Sequence, residues 1–150
     1  MPRLTLDIAL TITQAAFATA RDLEAKPLCV VVLDSGGHVL TTHRHEAASL
    51  FRPAIATAKA TGALGMGMGS RAIAARASQS PAFFASLSAV TDGQIAMAPG
   101  GVLIRSAEGE ILGAVGISGD TSDVDEVCAV AGIKAADLIA DTGAAPEGKA

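Results

Sequence analysis

The residues best suited to chemistry include a pair of histidines at the end of one predicted strand, His43 and His45. Because side chains alternate between the two faces of a strand, these histidines share one face and Arg44 takes the other. A neutral imidazole ligates metal ions and haem iron, so the pair predicts a metal site, with Glu46 or Asp34 as the nearest carboxylate. The same residues also fit acid–base catalysis or a solvated strand end, and the sequence has no third ligand beside them that would favour the metal.

Four charged residues form the candidate catalytic set: Arg44, Glu46, Lys59 and Asp120. If the strand continues, Arg44 and Glu46 share a face, where they either orient the arginine toward an anionic substrate or a haem propionate, or close the strand-to-helix corner. Lys59 interrupts a small, apolar helix face. It therefore either forms a structural ion pair, with Glu46 or Asp120 as partner, or has a lowered pKa that serves chemistry.

Glycine-rich turns supply the candidate ligand-binding residues. Gly100 and Gly101 either present free backbone amides to an anion or form a tight turn between strands. The segment 118–120 precedes the last predicted helix, whose N-terminus favours anions, although Asp120 or Thr121 also suits a helix cap. The complete predicted binding set is Gly100, Gly101, Ser118, Gly119 and Ser70.

Helices and strand hairpins must position these residues. Apolar residues at helical spacing predict a first helix over Leu6–Ala25, which Lys26-Pro27 ends. A hairpin follows, with strands 28–33 and 38–44 joined by the turn 34–37. The sequence then predicts helices over 49–66, 70–77 and 81–87, an edge strand at 95–97, strands 102–105 and 111–118, and a last helix that a Ser122–Asp125 capping box opens and Gly143 stops.

This order of elements predicts an α+β sandwich, in which a sheet of about five antiparallel strands is covered by helices. The 150 residues fit a single domain over 1–150, with 144–150 as a frayed polar tail. Half of the residues are apolar, but none is Trp or Tyr and only four are Phe, so Ala, Val, Ile and Leu build the core. The surplus of apolar residues predicts a homo-oligomer interface.

Charge and patterning argue against several classes of partner. The net charge is −4 and no basic stripe is present, which speaks against nucleic-acid binding. No apolar run has the length of a membrane-spanning helix, and no secretory pattern opens the chain, so we expect a cytoplasmic protein.

Cys29 and Cys128 lie in apolar segments and are expected to be reduced core thiols.

Several blocks of the chain form a recognisable set: Val30–Gly37, Arg44 with Glu46-Ala47-Ala48, Ala58–Thr61, Ser70, Pro99–Val102, Gly113–Gly119, and Asp125 with Ala129. Together these blocks resemble the GlcG/HbpS family of haem-binding-like proteins, which also forms the C-terminal domain of PduO-type proteins. They cover about residues 5–140 in the order that the family has them.

The resemblance implies a profilin-like sandwich, dimers or octamers, and haem or corrinoid-related binding in some members. It also implies catabolic roles for others. Some members ligate iron through a histidine on the first helix, where this chain has none, and the family's Asp-Gly-Ala is Glu46-Ala47-Ala48 here. The resemblance nevertheless implies a small-ligand-binding protein of the GlcG/HbpS type, with haem or a related tetrapyrrole as one possible ligand. The alternatives are a cofactor-independent isomerase, lyase or hydratase acting on an anionic substrate, and an assembly module without a ligand.

Overall fold

A five-stranded antiparallel sheet forms the centre of the computed structural model, which describes residues 3–145. The strands are arranged in the order β2-β1-β4-β3-β5. Along the chain, the elements are α1 Leu6–Asp22, β1 Cys29–Asp34, β2 Val39–Arg44, α2 Arg52–Met66, α3 Ser70–Gln79, α4 Pro81–Val90, β3 Gly101–Arg105, β4 Ile111–Ser118, α5 Ser122–Ala135 and β5 Ile139–Asp141. The predicted α+β sandwich is confirmed.

Helices cover both faces of the sheet, and the alternation of side chains along β1 shows how. Val30 and Val32 pack with α1 and α5, whereas Val31 and Leu33 pack with α2. All four are fully buried, which explains why β1 is a continuous apolar run. The two free cysteines lie in different layers, Cys29 on the α2 side and Cys128 on the α5 side.

Helix α2 contacts the sheet backbone to backbone. Its inner face carries small residues such as Ala56 and Ala60. A Cβ atom at Gly116 of β4 would overlap the carbonyl oxygen of Ala56, and one at Gly101 of β3 would overlap the carbonyl oxygen of Lys59. Gly101 and Gly116 are directly opposite each other in the β3–β4 register. The pair of glycines therefore forms the surface on which α2 rests.

Helices α3 and α4 form a smaller layer beside α2. Ile73, Phe84 and Ile95 make a separate apolar cluster there. Arg71 of α3 also forms ion pairs with α5, with its Nε atom 3.0 Å from a carboxylate oxygen of Glu126. The hydrogen bonds that Arg71 donates to the carboxylates of Glu126 and Asp123 raise its pKa. An apolar cluster and the ion pairs of Arg71 thus help to hold this layer.

The prediction of an edge strand at 95–97 was wrong. Those residues form no strand, and Ile95 instead packs into the apolar cluster with α3 and α4. The fifth strand is Ile139–Asp141, which the sequence analysis placed in the last helix. Helix α5 ends at Ala135, and Asp137 has a φ of 59°, which turns the chain back to pair with β3.

Other element boundaries moved by a few residues. Helix α1 ends at Asp22 rather than at 25, and α2 begins at Arg52 rather than at 49. Gly143, expected to stop the last helix, follows β5 and has a φ of 81°. The residues 146–150 of the predicted tail lie outside the described part of the chain. Within residues 3–145, no helix is both long enough and apolar enough to cross a membrane.

The N-terminus of α5 is capped by Thr121 and not by the predicted Ser122–Asp125 box. The Thr121 hydroxyl accepts a hydrogen bond from the Val124 amide at 3.3 Å, while the Asp125 carboxylate is buried elsewhere. We expect Thr121→Ala to lower the free energy of unfolding by about 1 kcal/mol in urea denaturation, because it leaves this amide without its partner. Ser122→Ala is the control and should cost less than about 0.5 kcal/mol. Equal losses would contradict the assignment.

Candidate functional site

A surface groove between α1 and the end of β2 brings the histidine pair together. It has a volume of about 460 Å³ and is lined by Leu10, Thr13, Gln14, Phe17, Arg21, His43, Arg44 and His45. His43 is opposite Val30 in the β1–β2 register, and Val30 packs in the layer that contains α1. The side chain of His43 therefore lies on the α1 side of the sheet, where α1 forms the opposite wall.

A second, smaller cavity adjoins this groove beside the end of α1. Its volume is about 200 Å³, and it shares Phe17, Arg21 and His45 with the groove. The backbone amide of His45 donates to the carbonyl of Leu28 at 2.9 Å, which places His45 just beyond the last residue of β2. The groove and the cavity thus meet at His45 and Arg21.

The two histidines of the groove differ in their hydrogen bonds. The Nδ1 atom of His45 accepts a hydrogen bond from the Ala47 amide at 3.1 Å and is 3.5 Å from a carboxylate oxygen of Glu46. Within residues 3–145, no hydrogen bond engages either ring nitrogen of His43. The third histidine, His38, precedes β2 at its other end, beside the β1–β2 turn. The imidazole of His43 is therefore the one with both nitrogens available.

Arg44 closes the corner between β2 and α2. It is opposite Cys29 in register, so its side chain lies on the α2 side of the sheet. Its Nη1 atom donates to the carbonyl oxygens of His45, Glu46 and Ala48 at 3.0–3.1 Å. This geometry matches the corner-closing alternative, except that the partners of the guanidinium are carbonyl groups and not the Glu46 carboxylate.

Lys59 lies away from the groove, in a buried polar cluster between α2 and α5. Its Nζ atom donates to the Asp125 carboxylate at 3.2 Å and to the Ile117 carbonyl at 2.9 Å. The predicted partners, Glu46 and Asp120, were wrong, because the first turn of α5 places Asp125 next to the lysine. Helical spacing within one segment could not show which carboxylate of another helix meets this position.

Burial governs the ionisation of this pair. The exposed fractions of the Lys59 and Asp125 side chains are only 3% and 1%. Burial lowers the pKa of Lys59 and raises the pKa of Asp125, and hydrogen bonding from the Asp120 amide to Asp125 acts against the second shift. Among residues 3–145, no buried side-chain nitrogen or oxygen atom is left without a hydrogen-bond partner, so the cluster fits a structural ion pair that joins α2 to α5.

The glycine turn before β3 is engaged by neighbouring residues. The Gly101 amide donates to the Ser70 hydroxyl at 2.7 Å, and the Gly100 carbonyl accepts from the Ile117 amide at 3.0 Å. Gly100 has a φ of 119°, a conformation that residues with a side chain rarely adopt. This geometry is that of the tight turn, one of the two alternatives, because the Gly101 amide already has a partner.

The segment 118–120 also binds other parts of the chain. The Ser118 hydroxyl is buried and accepts from Nη1 of Arg52 at 3.0 Å. A Cβ at Gly119 would overlap the carbonyl oxygen of Pro27. The Asp120 carboxylate accepts from the Lys26 amide at 2.7 Å, and this bond lowers its pKa. These residues therefore lie outside the lining of the histidine groove, while the backbone amide of Asp120 donates to the Asp125 carboxylate that pairs with Lys59.

Sequence reasoning missed two contributors. Asp125 was taken as part of a helix cap, although a carboxylate among the apolar positions of α5 was a signal that a buried cation faces it. Arg21 was not among the predicted residues, and its position carries no special signal, because a basic residue in the last turn of a helix is common for reasons of helix electrostatics. Its place in the groove depends on how α1 crosses β2, which the sequence of either element does not contain.

Comparison with known proteins gives a family and several similar structures. The family model described as "Haem degrading protein HbpS-like" matches residues 4–134. The crystal structure of a PduOC:heme complex has a TM-score of 0.82 and 26% identity, covering 91% of this chain and 97% of that chain. The Klebsiella pneumoniae protein ORFY has a TM-score of 0.82 and 25% identity, covering 91% and 93%. HbpS has a TM-score of 0.77 and 27% identity, covering 89% and 90%. No curated protein sequence matches the chain.

Proposed function

Because this chain belongs to the HbpS-like family of haem-degrading proteins, we propose that it is a small-ligand-binding protein and that its ligand is haem or a related tetrapyrrole. The observation that carries the proposal is the imidazole of His43, which lines the groove between α1 and β2 with both ring nitrogens free of hydrogen bonds. The similar PduOC structure, which is a complex with haem, supports the choice of ligand.

The donor set of the groove fits such a ligand. Haem would supply a redox-active iron that the macrocycle already holds, so the protein would have to add few ligands of its own. Among residues 3–145, no three His, Cys, Asp or Glu side chains are placed to hold a bare metal ion together. One imidazole from His43 is sufficient for a haem, and Leu10 and Phe17 give apolar surface for the macrocycle. Arg21 adds a cation for a propionate.

The imidazole reaches the groove from the wall opposite the first helix. Some family members, as the resemblance implies, ligate iron from that helix, but α1 has no histidine between Leu6 and Asp22. His43 of β2 faces the same groove from the sheet. Helix α1 and strand β2 border the same groove. An imidazole on β2 can therefore take the place of an imidazole on the first helix as a ligand to iron.

A haem titration followed at the Soret band tests the proposal. We expect saturable binding to the wild-type protein, and a weakening of about 10- to 100-fold in His43→Ala, which is the range typical of losing a metal-site partner. His38→Ala is the matched control, because it removes an exposed imidazole at the other end of the same hairpin. This control should bind haem as the wild type does.

Two outcomes would contradict the proposal. Absence of saturable binding by the wild type would exclude haem as the ligand. Equal loss in His38→Ala and His43→Ala would show that the band reports non-specific association with exposed imidazoles. Circular dichroism of each variant establishes that it has kept the fold.

We also propose that the protein acts as one domain in a homo-oligomer, a dimer or an octamer, in the cytoplasm and in a catabolic setting. The family resemblance supports the assembly and the setting. Exposed large apolar side chains support an interface, since Leu50 is 84% and Phe51 is 69% exposed in the single chain. Light scattering would measure the mass.

The alternative of a cofactor-independent enzyme finds no support in the arrangement of its predicted residues. Arg44 binds loop carbonyls, and Lys59 is buried against α5. Asp120 is held at the surface by the Lys26 amide. The charged residues proposed for catalysis therefore do not converge on one site.

A further inference from the structure

We infer that the two groove histidines have different tasks: His43 offers a lone pair to iron, whereas His45, with Arg21, binds a carboxylate of the ligand. This inference rests on the proposed function, because it concerns the same groove. It fixes the orientation of the ligand, whose carboxylate-bearing edge lies toward the end of α1. For haem, that edge carries the propionates.

The hydrogen bond from the Ala47 amide fixes the tautomer of His45. A backbone N–H can only donate, so the Nδ1 atom that it meets at 3.1 Å must carry a lone pair. A neutral imidazole with its lone pair on Nδ1 has its proton on Nε2. The Nε2 atom of His45 is therefore a hydrogen-bond donor, which suits a carboxylate and does not suit a metal ion.

The charges that line the smaller cavity also favour a carboxylate. This cavity is lined by two cations, Arg21 and Lys26, against one carboxylate, Glu24, while the Glu46 carboxylate lies 3.5 Å from Nδ1 of His45, the nitrogen that is not assigned to the ligand. Arg21 lines both this cavity and the main groove, so its guanidinium is placed where the two meet. Guanidinium groups bind carboxylates in a charge-assisted and often bidentate manner. A ligand carboxylate at this junction therefore has two donors of different kinds.

The other arginine at the groove is hydrogen-bonded to the chain itself. The Nη1 atom of Arg44 donates to three carbonyls of the 45–48 loop. Arg44 therefore stabilises the loop conformation in which the Ala47 amide donates to Nδ1 of His45. Arg21 is thus the arginine that the geometry assigns to the ligand, and His43 remains the imidazole with a free lone pair.

Comparing ferric protoporphyrin IX with its dimethyl ester tests the assignment, because esterification removes the carboxylate charge and keeps the iron. We expect Arg21→Ala and His45→Ala each to weaken binding of the free acid about 10- to 100-fold, as charged hydrogen bonds of 1.5–3 kcal/mol imply. Ester affinity should change less than about twofold. His45→Gln, which keeps an N–H donor, should recover part of the loss, and Arg76→Ala on α3 is the matched control.

A second measurement separates the two histidines without any ligand. In protein with ¹⁵N-labelled imidazoles, His45 should show a protonated Nε2 and an unprotonated Nδ1.

A third measurement uses ferric protoporphyrin IX. His43→Gly should lose the spectroscopic signature of an imidazole bound to iron and regain it when free imidazole is added, whereas His45→Ala should retain this signature.

The outcomes distinguish failure of the inference from failure of the proposed function. If neither porphyrin binds the wild type, the proposed function fails, and the carboxylate assignment fails with it. If both bind but His45→Ala loses the axial signature, or if it weakens the ester as much as the acid, haem binding stands and the division of tasks is wrong. A proton on Nδ1 of His45 would overturn the inference directly.

Discussion

Replacing Gly116 with alanine is expected to lower the free energy of unfolding by about 3 kcal/mol or more, at the upper end of overpacking costs. The added methyl group would overlap the Ala56 carbonyl oxygen and lie 3.0 Å from the Cβ of Ala60. Neither neighbour is a flexible side-chain end. Helix α2 would have to move away from β4, which would also disturb its contact with Gly101 on the next strand.

Gly65→Ala is the matched control, because Gly65 lies in α2 and nothing is within 4 Å of a Cβ built there. Alanine has a higher helix propensity than glycine, so this variant should gain up to about 1 kcal/mol. Urea denaturation of both variants gives the two free energies. Similar values for Gly116→Ala and Gly65→Ala would show that α2 does not depend on the close approach to β4.

The second large effect is expected at the buried ion pair. Lys59→Met leaves the Asp125 carboxylate buried without its cation, and Asp125→Asn leaves the Lys59 ammonium without its counter-charge. Breaking a buried pair in this way costs about 3–5 kcal/mol. Each single variant should therefore lose about that much stability in urea denaturation.

The double variant Lys59→Met/Asp125→Asn separates the pair from its surroundings. It removes both charges, and the asparagine oxygen still accepts the Asp120 amide bond. We expect a loss smaller than the sum of the single losses, with a coupling energy of about 2 kcal/mol. Additive losses would mean that the two side chains contribute independently, and Arg76→Ala gives the baseline for removing an exposed charge.

The pKa shifts of the pair set the sign of its pH dependence. Burial raises the pKa of Asp125 above 3.8, so the folded protein holds this proton more tightly, and stability falls as pH rises from that value through the folded pKa. Burial lowers the pKa of Lys59 below 10.5, so stability rises with pH from the folded pKa to that value. In a plot of the free energy of unfolding against pH, Asp125→Asn should therefore flatten the acidic part of the curve. Lys59→Met should flatten its alkaline part.

Local patterns were sufficient for the elements that carry their own signals. The β1–β2 hairpin followed from an apolar run, an Asp-Ser-Gly-Gly turn and a returning strand. The strand Ile139–Asp141 has no such pattern and exists because it pairs with β3, which is distant in sequence. Whether so short an edge strand forms depends on whether the end of α5 places the segment beside β3. Periodicity within the segment could therefore not predict it.

The candidate site shows the same division between local and distant information. The proximity of His43 and His45 was predictable from their separation by one residue, although β2 ends at Arg44 and His45 lies beyond it. The assignment of Lys59 to Asp125 required knowing that α5 begins beside α2, and the role of Arg21 required knowing how α1 crosses β2. The sequence identifies candidate residues by their type, whereas the packing of the helices on the sheet determines which of these residues are in contact.

The placement of the two cysteines on opposite sides of the sheet has a practical consequence. Burial raises the pKa of both thiols to about 11, and alkylating reagents attack the thiolate. Cys29 is sealed by α2, and Cys128 by the packing of α5, so each becomes reactive when its own layer opens. Two variants would each retain one of the two cysteines. The alkylation rate of each variant would report how often its own layer opens, so the two layers could be followed separately, which a single spectroscopic signal cannot do.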